Sequence, residues 1–446
     1  MNISSQSTTR FLDVLSKLFF CLTIILIPFR ERIILLERPL GPIYSDFTDY
    51  VLYAADIPLL VTVTLWLISL KLNPRRIIFG RFHIWVPLYG LVIAGWLSTI
   101  TSEYRELSAY HVLRFVILFL LYLFVVNEID SPKWIILGVI SQLLIQAPIA
   151  IGQSLLQRSI GLQNLGELQL DPAQAGSSIV YAGGIRYLRS YGLADHPNIL
   201  AGCTAIGLLI LTSLILRSNK TKLYLAVCAI VPSLVMIALT FSRSAWLGLI
   251  CGIVLLLFIE IINHGNTGMK RIVLLASVVT FTLTPIIVWK SGYFGSRLNI
   301  NQSFSTVSYE RDSLNARILL NKAANRIFVE HPINGIGLGA APLAMLEYYP
   351  DFPIDYQPPH YAWLTVGLET GLIGAIPYFI LMILPILMIA IHWKKTIQNP
   401  ALVASTAVLI ALVIIGFFDY YPWTYNSGRL IQWLAWGYWS AGEERL

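Results

Sequence analysis

The chain has 446 residues, of which 56% are hydrophobic and only 12% are charged. This composition excludes an ordinary soluble domain, in which about a quarter of the residues are charged. The net charge of +7 does not indicate a nucleic-acid-binding protein, because the basic residues are scattered over short segments between apolar runs, a distribution typical of membrane topology.

The apolar runs predict an all-α polytopic membrane protein. Runs of roughly 18 to 22 residues match a hydrocarbon core about 30 Å thick, and they are continuous rather than alternating, which favours helices over strands. We predict about twelve transmembrane helices in a single membrane domain, 1–446. They lie near residues 11–29, 51–70, 82–100, 109–127, 134–152, 197–216, 223–241, 244–263, 271–289, 371–392, 400–418 and 429–442.

The first run and the cysteines favour retained, packed helices. The run from Phe11 to Phe29 has no small-residue cleavage site before Arg30, so we predict a membrane helix rather than a removed signal peptide. The four cysteines lie in apolar runs without a CxxC pattern, so we predict small packing residues and no disulfide or metal site. They are Cys21, Cys203, Cys228 and Cys251.

The basic residues between the predicted helices indicate the orientation. With a cytoplasmic N-terminus, every short basic segment falls on the cytoplasmic side, as the positive-inside rule requires. These residues are Lys71, Arg75, Arg76 and Arg81, then Arg217, Lys220 and Lys222, then Lys270 and Arg271, then Lys394 and Lys395. The C-terminus is then also cytoplasmic, and the segments 153–197 and 290–370 lie outside. We expect only these two segments to provide a sizeable extracytoplasmic site.

Helical periodicity within the larger outer segment predicts an amphipathic helix over 313–330 that lies on the membrane face. Its apolar positions are Leu314, Ile318, Leu319, Ala323 and Ile327. The charged residues expected on its solvated face are Arg311, Lys322 and Arg326.

The last predicted helix and the residues before it are rich in aromatic side chains. Tryptophan and tyrosine are enriched where a membrane meets water. We therefore predict an interfacial aromatic belt. Its members are Trp423, Trp433, Trp436, Tyr438 and Trp439.

The first candidate cluster is RYLRSYGLADHPNILAG, which ends the first outer segment. Asp195 and His196 precede a proline at a predicted helix start, where they either cap the helix or bind substrate. Arg186 and Arg189 lie near the same helix N-terminus among aromatic residues, which favours an anion site.

The second cluster is the hairpin TFSRSAWLG, in which Ser242, Arg243 and Ser244 alone separate two apolar runs. Arg243 is therefore expected at the outer membrane surface. Either it reaches lipid headgroups as an amphipathic side chain or it faces other helices and binds an anion. We favour the second, because topology rules disfavour a positive charge in an outer hairpin.

The third cluster joins Arg317 to the later segment HPINGIGLG, which begins at His331. The turn GIGLG is not a dinucleotide-binding fingerprint, because no strand precedes it. Its glycines are expected to let the backbone turn tightly and approach a neighbour.

The fourth cluster, PPHYAWLTVGLETGLIG, contains His360 just before the chain re-enters the membrane. An isolated loop histidine is usually only a hydrogen-bonding residue. An imidazole at this position could instead accept a proton from a sugar hydroxyl near neutral pH.

Together these motifs resemble the O-antigen ligase and polymerase superfamily of bacterial integral-membrane glycosyltransferases. The resemblance covers about residues 186 to 374 and implies a GT-C-like fold in the plasma membrane with the active site on the extracytoplasmic face. It implies that Arg243 and Arg317 contact a lipid diphosphate and that His360 is catalytic. Tyr361 stands where the family commonly has asparagine, which removes an amide at that position. Arg186, Arg189, His196 and His331 are our candidates for substrate binding.

The implied reaction transfers a glycan from an undecaprenyl-diphosphate carrier to a hydroxyl of lipid A-core or of a growing glycan, with membrane lipids as the surroundings. No cofactor is implied. The outer segments contain no DxD or paired-carboxylate pattern that would require a divalent cation, since Asp351 and Asp355 are separated among prolines. We therefore expect metal independence.

Three alternatives share parts of this pattern. Ligase, polymerase and protein O-oligosaccharyltransferase have the same loop motifs, and we favour the first two because no appended domain for a protein acceptor is visible. A transporter of bicarbonate or of lipid-linked sugar belongs to a different class. His111 and Arg114, one turn apart in the fourth helix, favour it, unless they form the floor of the outer cavity.

Overall fold

The structure is a computed structural model that describes residues 3–217, 220–298 and 304–444, with side chains for 8–216, 227–298 and 312–444. Each predicted helical segment overlaps a helix. The helices are α1 (Ile3–Leu26), α2 (Asp56–Leu72), α3 (Phe82–Thr101), α4 (Arg105–Glu128), α5 (Lys133–Leu156), α6 (Pro197–Arg217), α7 (Lys220–Leu239), α8 (Arg243–Trp289), α9 (Ser291–Arg297), α10 (Phe304–Glu330), α11 (Ala341–Tyr348), α12 (Ala362–Ile391), α13 (Trp393–Thr396), α14 (Pro400–Gly416), α15 (Tyr421–Thr424) and α16 (Asn426–Glu444).

Among the described residues, six helices are long and apolar enough to cross a membrane. This is consistent with a helical membrane protein. The six lie within α3, α4, α5, α6, α8 and α12. The count of about twelve crossings and the GT-C-like arrangement stay predictions.

Two long helices are interrupted by glycines with positive φ. Gly265 (φ 50°) divides α8 into two parts that correspond to two predicted helices. Gly371 (φ 61°) interrupts α12, which begins at Ala362 rather than near residue 371 as predicted. Thr365, Glu369 and Thr370 interrupt the apolar run before Gly371, so hydropathy alone places the start of this helix too far along the chain.

Two small antiparallel hairpins depart from the all-α prediction. The strands are β1 (Arg32–Leu36), β2 (Tyr50–Tyr53), β3 (Ile179–Ala182) and β4 (Ile185–Leu188). β1 pairs with β2, and β3 pairs with β4. Four- and five-residue strands are too short for a reliable sequence signal beside long apolar helices. Both hairpins lie in connections between helices.

The predicted basic segments meet at one end of the helix bundle. Arg75 donates to Asp13 and Glu128 at 3.2 and 2.6 Å, and Arg81 donates to the Glu443 carbonyl at 3.3 Å. Arg271 pairs with Glu260 at 3.0 Å. The orientation of these segments relative to the membrane stays a prediction. Residues 218 and 219 of the segment with Arg217, Lys220 and Lys222 lie outside the described residues, as do the side chains of those three.

The predicted aromatic belt is wrong for its tryptophans. Trp423, Trp433, Trp436 and Trp439 are at most 2% exposed and belong to the core of the bundle. Three of the four indole N–H groups donate inside the protein, for example from Trp423 to Glu369 at 2.8 Å. A buried indole satisfied in this way does not need the membrane interface.

The helix predicted over 313–330 is the second half of α10, which begins at Phe304. Lys322 and Arg326 are exposed as predicted, whereas the Arg311 side chain lies outside the described residues. The buried face is formed by Leu320, Ala323, Ala324 and Ile327. Leu314, Ile318 and Leu319 are exposed, because the face that packs on α11 and α12 is rotated from the predicted one.

The four cysteines are free thiols in the structure. Cys21 and Cys203 are buried packing residues. Cys228 is exposed, so the packing interpretation is wrong there.

Candidate active site

A polar cavity of about 950 Å³ lies at the helix ends opposite the basic segments. It is bounded by the residues before α6, the α7–α8 turn, α9, α10, the residues before α12 and those between α14 and α16. Its charged and histidine side chains are Arg30, Asp46, Arg189, Asp195, His196, Arg243, Arg297, Arg317, Asp355, His360 and Asp419. A cavity of this size with convergent polar groups is a candidate ligand site.

The α7–α8 turn holds three of the cavity arginines. Arg189 donates to the Thr240 carbonyl at 2.6 Å, and Arg297 donates to the Phe241 carbonyl at 3.2 Å. Arg243, the first residue of α8, donates to the Arg297 carbonyl at 3.3 Å. Phe241 has φ 50°, and a non-glycine residue in this region costs free energy that the surrounding contacts must offset. The turn thereby fixes the backbone and side chains of a cationic surface.

Arg317 completes this surface from α10. It is half-buried and lines the cavity. Within the described residues it forms no hydrogen bond or ion pair, so its guanidinium is available to a ligand. We call Arg189, Arg243, Arg297 and Arg317 the arginine wall.

His360 lies in the cavity two residues before α12. Its ring centroid is 4.8 Å from that of Tyr420, and its Nδ1 is buried without a hydrogen-bond partner in the described part of the chain. Burial lowers the pKa of His360 to about 4; Asp419 raises this pKa and Arg317 lowers it. The imidazole is therefore neutral near pH 7 and able to accept a proton.

Asp419 lies near His360 and was not identified from the sequence. It is only 5% exposed and accepts hydrogen bonds from Asn198 Nδ2 at 2.7 Å and from the Tyr420 N–H at 2.9 Å. Its sequence signal is a lone carboxylate in the aromatic segment FFDYYPWTY, which becomes informative only when that segment is known to border the cavity.

Residues 227–379 match the family model described as O-antigen ligase. This match supports the resemblance to the O-antigen ligase and polymerase superfamily over that part of the chain. The matched region extends from α7 into α12 and contains Arg243, Arg317 and His360. No curated protein matches the chain.

Tyr361 stands where the superfamily commonly has asparagine, and its side chain packs against a neighbouring ring instead of entering the cavity. The Tyr361 ring stacks on Phe417 at 5.9 Å and does not line the cavity. It supplies packing at the start of α12 rather than a polar group to the site.

His196 is part of the cavity wall and caps α6. Its Nδ1 accepts from the Asn198 N–H at 3.1 Å, and its Nε2 lies 2.8 Å from Ser178 Oγ. Burial, followed by the charge of Arg189, lowers the pKa of His196 well below its usual value. Because Nδ1 of the neutral ring accepts a hydrogen bond, Nε2 carries the proton and donates to Ser178 Oγ. Asp195 does not cap the helix, because it pairs with Arg30 at 3.1 Å.

Two predicted substrate-binding residues lie outside the cavity. Arg186 is exposed at the tip of the β3–β4 hairpin and donates to the Pro172 carbonyl. His331 is exposed and its Nε2 lies 2.7 Å from Tyr348 Oη. Neither lines the cavity, because the hairpin turn and the end of α10 direct these residues elsewhere.

The expectation that only 153–197 and 290–370 build the site is wrong. The connection between α1 and α2 contributes Arg30, Tyr44 and Asp46, and the connection between α14 and α16 contributes Asp419. Connections outside the two predicted segments carry site residues because long-range packing brings them to the cavity.

The GIGLG turn supports the site through α12. Gly335, Gly337 and Gly339 have positive φ, and the N–H groups of Ile336 and Gly337 donate to the Leu368 and Glu369 carbonyls at 3.0 Å. The interruption at Gly371 frees these carbonyls from the helix. The turn satisfies them, as buried backbone groups require, and the predicted close approach is confirmed.

His111 and Arg114 do not form the floor of the cavity. Arg114 pairs with Asp56 at 2.8 Å and donates to Asn426 at 2.7 Å. His111 Nδ1 lies 3.1 Å from a guanidinium nitrogen of Arg429. These residues connect helices inside the bundle.

Proposed function

We propose that the protein transfers a glycan from an undecaprenyl-diphosphate carrier to a hydroxyl of an acceptor glycan, as a ligase or polymerase of surface polysaccharide. The observation that carries the proposal is the convergence of Arg243, Arg317 and His360 in one cavity of a chain that resembles the O-antigen ligase superfamily. Two guanidinium groups and a neutral imidazole suit a reaction with an anionic leaving group and a hydroxyl nucleophile.

In this reaction the bond between the anomeric carbon and the carrier diphosphate breaks, and its electron pair leaves with undecaprenyl diphosphate. The acceptor oxygen forms the new glycosidic bond. Its proton passes to the imidazole of His360. The Asp419 carboxylate, which raises the pKa of His360, stabilises the imidazolium that results.

The arginine wall stabilises the departing diphosphate. Arg243 and Arg317 bind phosphate oxygens with their planar donor pairs, and the interaction strengthens as negative charge develops on the leaving group. We expect this stabilisation to operate without a metal ion. Arg189 and His196 shape the same surface and contact the bound substrate, whereas Arg186 and His331 are too far outside the cavity to do so.

The proposed setting is the bacterial inner membrane, with both termini in the cytoplasm and the cavity on the extracytoplasmic face. The donor is the lipid-linked glycan, and the acceptor is lipid A-core or a growing glycan. Residues 1–446 form one membrane domain, in which 153–197 and 290–370 are extracytoplasmic. The transport alternative is less well supported, because Arg114, one of the two residues that favoured it, pairs with Asp56 inside the bundle.

The surface-polysaccharide profile of a strain that lacks the gene tests the proposal. Loss of polymer from lipid A-core with accumulation of lipid-linked polymer identifies a ligase, and accumulation of single repeat units identifies a polymerase. Loss of glycan from protein alone identifies an oligosaccharyltransferase. An unchanged profile with impaired carbon uptake would contradict glycan transfer and favour transport.

A further inference from the structure

A second group of cavity residues differs in chemistry from the arginine wall. Tyr44 Oη donates to Asp355 Oδ2 at 2.7 Å, and Tyr420 Oη donates to Gln357 Oε1 at 3.4 Å. All four residues line the cavity. We call Tyr44, Asp355, Gln357 and Tyr420 the acceptor wall.

Aromatic packing joins the two pairs into one surface. Phe47 follows Tyr44 by three residues, and its ring is edge-on to that of Tyr420 at a centroid distance of 6.5 Å. The Tyr420 ring in turn contacts the His360 imidazole at 4.8 Å. Tyr420 therefore connects the acceptor wall to His360, the proposed base, so a hydroxyl bound at this surface lies near the imidazole.

The acceptor wall is suited to a sugar rather than to a phosphate. A carboxylate, an amide and two phenols provide donors and acceptors for hydroxyl groups, and aromatic rings pack against the C–H face of a pyranose. The hydrogen bond to Asp355 raises the pKa of Tyr44 to about 12, so this phenol remains protonated. The Asp355 carboxylate would repel a diphosphate, which the arginines attract.

We propose that the acceptor wall binds the terminal sugar of the acceptor glycan and directs one of its hydroxyls to His360. This inference rests on the proposed glycosyl transfer. The cavity then has two subsites: the arginine wall binds the donor diphosphate, and the acceptor wall, formed partly by the connection between α1 and α2, binds a neutral or amino sugar.

The test uses the full-length protein in lipid nanodiscs, with Tyr44→Phe and Asp355→Asn as variants. Tyr349→Phe and Asp351→Asn are matched controls, because they make the same chemical changes in the connection between α11 and α12, at positions that do not line the cavity. Transfer rates are measured with lipid-linked glycan and lipid A-core from the strain that encodes the protein, and with lipid-linked single repeat units as a second acceptor. Equilibrium binding of the delipidated acceptor oligosaccharides is measured separately.

We expect Tyr44→Phe and Asp355→Asn to weaken acceptor binding and to raise the KM for acceptor by about tenfold each, the effect of one lost hydrogen bond. The kcat at saturating acceptor and the KM for donor should change less than about twofold, a pattern that general unfolding would not produce. Asp355→Asn retains an acceptor for Tyr44 and thus isolates the loss of charge.

The outcomes separate this inference from the proposed function. If the parent transfers glycan and both variants bind the acceptor as tightly as the parent does, the acceptor-wall proposal is wrong. The proposed glycosyl transfer is unaffected by that result. Acceptor binding that the variants weaken, without any transfer by the parent, would support the wall as a sugar site and overturn the reaction. A raised KM for donor would reassign the wall to the donor, and absence of both binding and transfer would reject both proposals.

Discussion

His360 combines a neutral imidazole with a position in the cavity that the arginine wall also lines, in contact with the Tyr420 ring. As a general base it should contribute about two to four powers of ten to turnover. We expect His360→Ala to lower turnover by this factor while donor binding through Arg243 and Arg317 is retained. Turnover and donor binding of the purified protein measure the two effects, and near-parental turnover by a folded variant would remove His360 from the chemistry.

The lowered pKa of His360 predicts the pH dependence. The base is neutral above its pKa of about 4 and protonated below it. The parental rate should therefore rise with pH through a value near 4 and be independent of this ionisation at pH 7, whereas His360→Ala should lack the rise. Rates between about pH 3.5 and 8 check this, and a parental profile with an unchanged shape in the variant would assign His360 an orienting role only.

Arg243→Lys should be more harmful than a conserved charge suggests. Lysine keeps the charge but cannot offer two fixed donors to phosphate oxygens. We expect transfer from the lipid-linked donor to fall by about ten- to a hundredfold, the effect of one or two charge-assisted hydrogen bonds. Arg326→Lys is the control, because Arg326 is exposed and outside the cavity. Parental turnover by Arg243→Lys would favour a lipid-headgroup contact instead.

At the residue scale, the sequence predicted part of the cavity. Arg243, Arg189, His196 and His360 carry local signals, such as a charge in a tight hairpin or a polar residue near a helix start. Arg317 stands out only through the resemblance to the O-antigen ligase superfamily. Arg297, Asp419 and Tyr44 were missed, because an isolated arginine, carboxylate or phenol in a loop gives no sign of its distant neighbours.

At the element scale, the interrupted helix α12 and the GIGLG turn depend on each other. The turn supplies N–H groups to carbonyls that the break at Gly371 frees. In return, Leu372 donates to the Pro332 carbonyl at 2.8 Å. Each element satisfies backbone groups that would be costly to leave unpaired inside the protein.

Gly337 gives a test of the conformation of the turn. It has φ 112°, and a Cβ there would overlap the hydroxyl oxygens of Ser102 and Ser108. We expect Gly337→Ala to destabilise the protein by about 1–3 kcal/mol from backbone strain alone, seen as a lower midpoint of thermal unfolding. Gly292→Ala is the control, because Gly292 lies in α9 with open space around its Cα. Equal midpoints for the two variants would show that the turn tolerates a side chain.

At the scale of the whole molecule, the contacts divide the bundle into a basic end and a cavity end. We predict that the basic end is cytoplasmic, including Lys71 to Arg81 and Lys394 to Lys395. Arg76→Cys and Asp351→Cys, both exposed, test this in a variant without the native cysteines. An impermeant thiol reagent should label only Asp351→Cys in intact cells and both after permeabilisation; the reverse pattern would overturn the extracytoplasmic site. Ser218, another suitable test position, lies outside the described residues.

Local sequence was sufficient for the helical class, the approximate helix segments and the glycine-rich turn. These features follow from local properties: the length of an apolar run, the spacing of its residues and the freedom of glycine at positive φ. It also indicated which arginines and which histidine to consider, through the resemblance to O-antigen ligases.

The set of polar residues that share the cavity could be identified only from the tertiary structure. It excluded Arg186 and His331, added Asp419 and the connection between α1 and α2, and moved the tryptophans from a predicted belt into the core. These outcomes depend on contacts between residues far apart in the chain, such as Tyr44 with Asp355 and Asn198 with Asp419. Hydropathy and local spacing carry no information about such contacts, because packing between helices determines which connections meet.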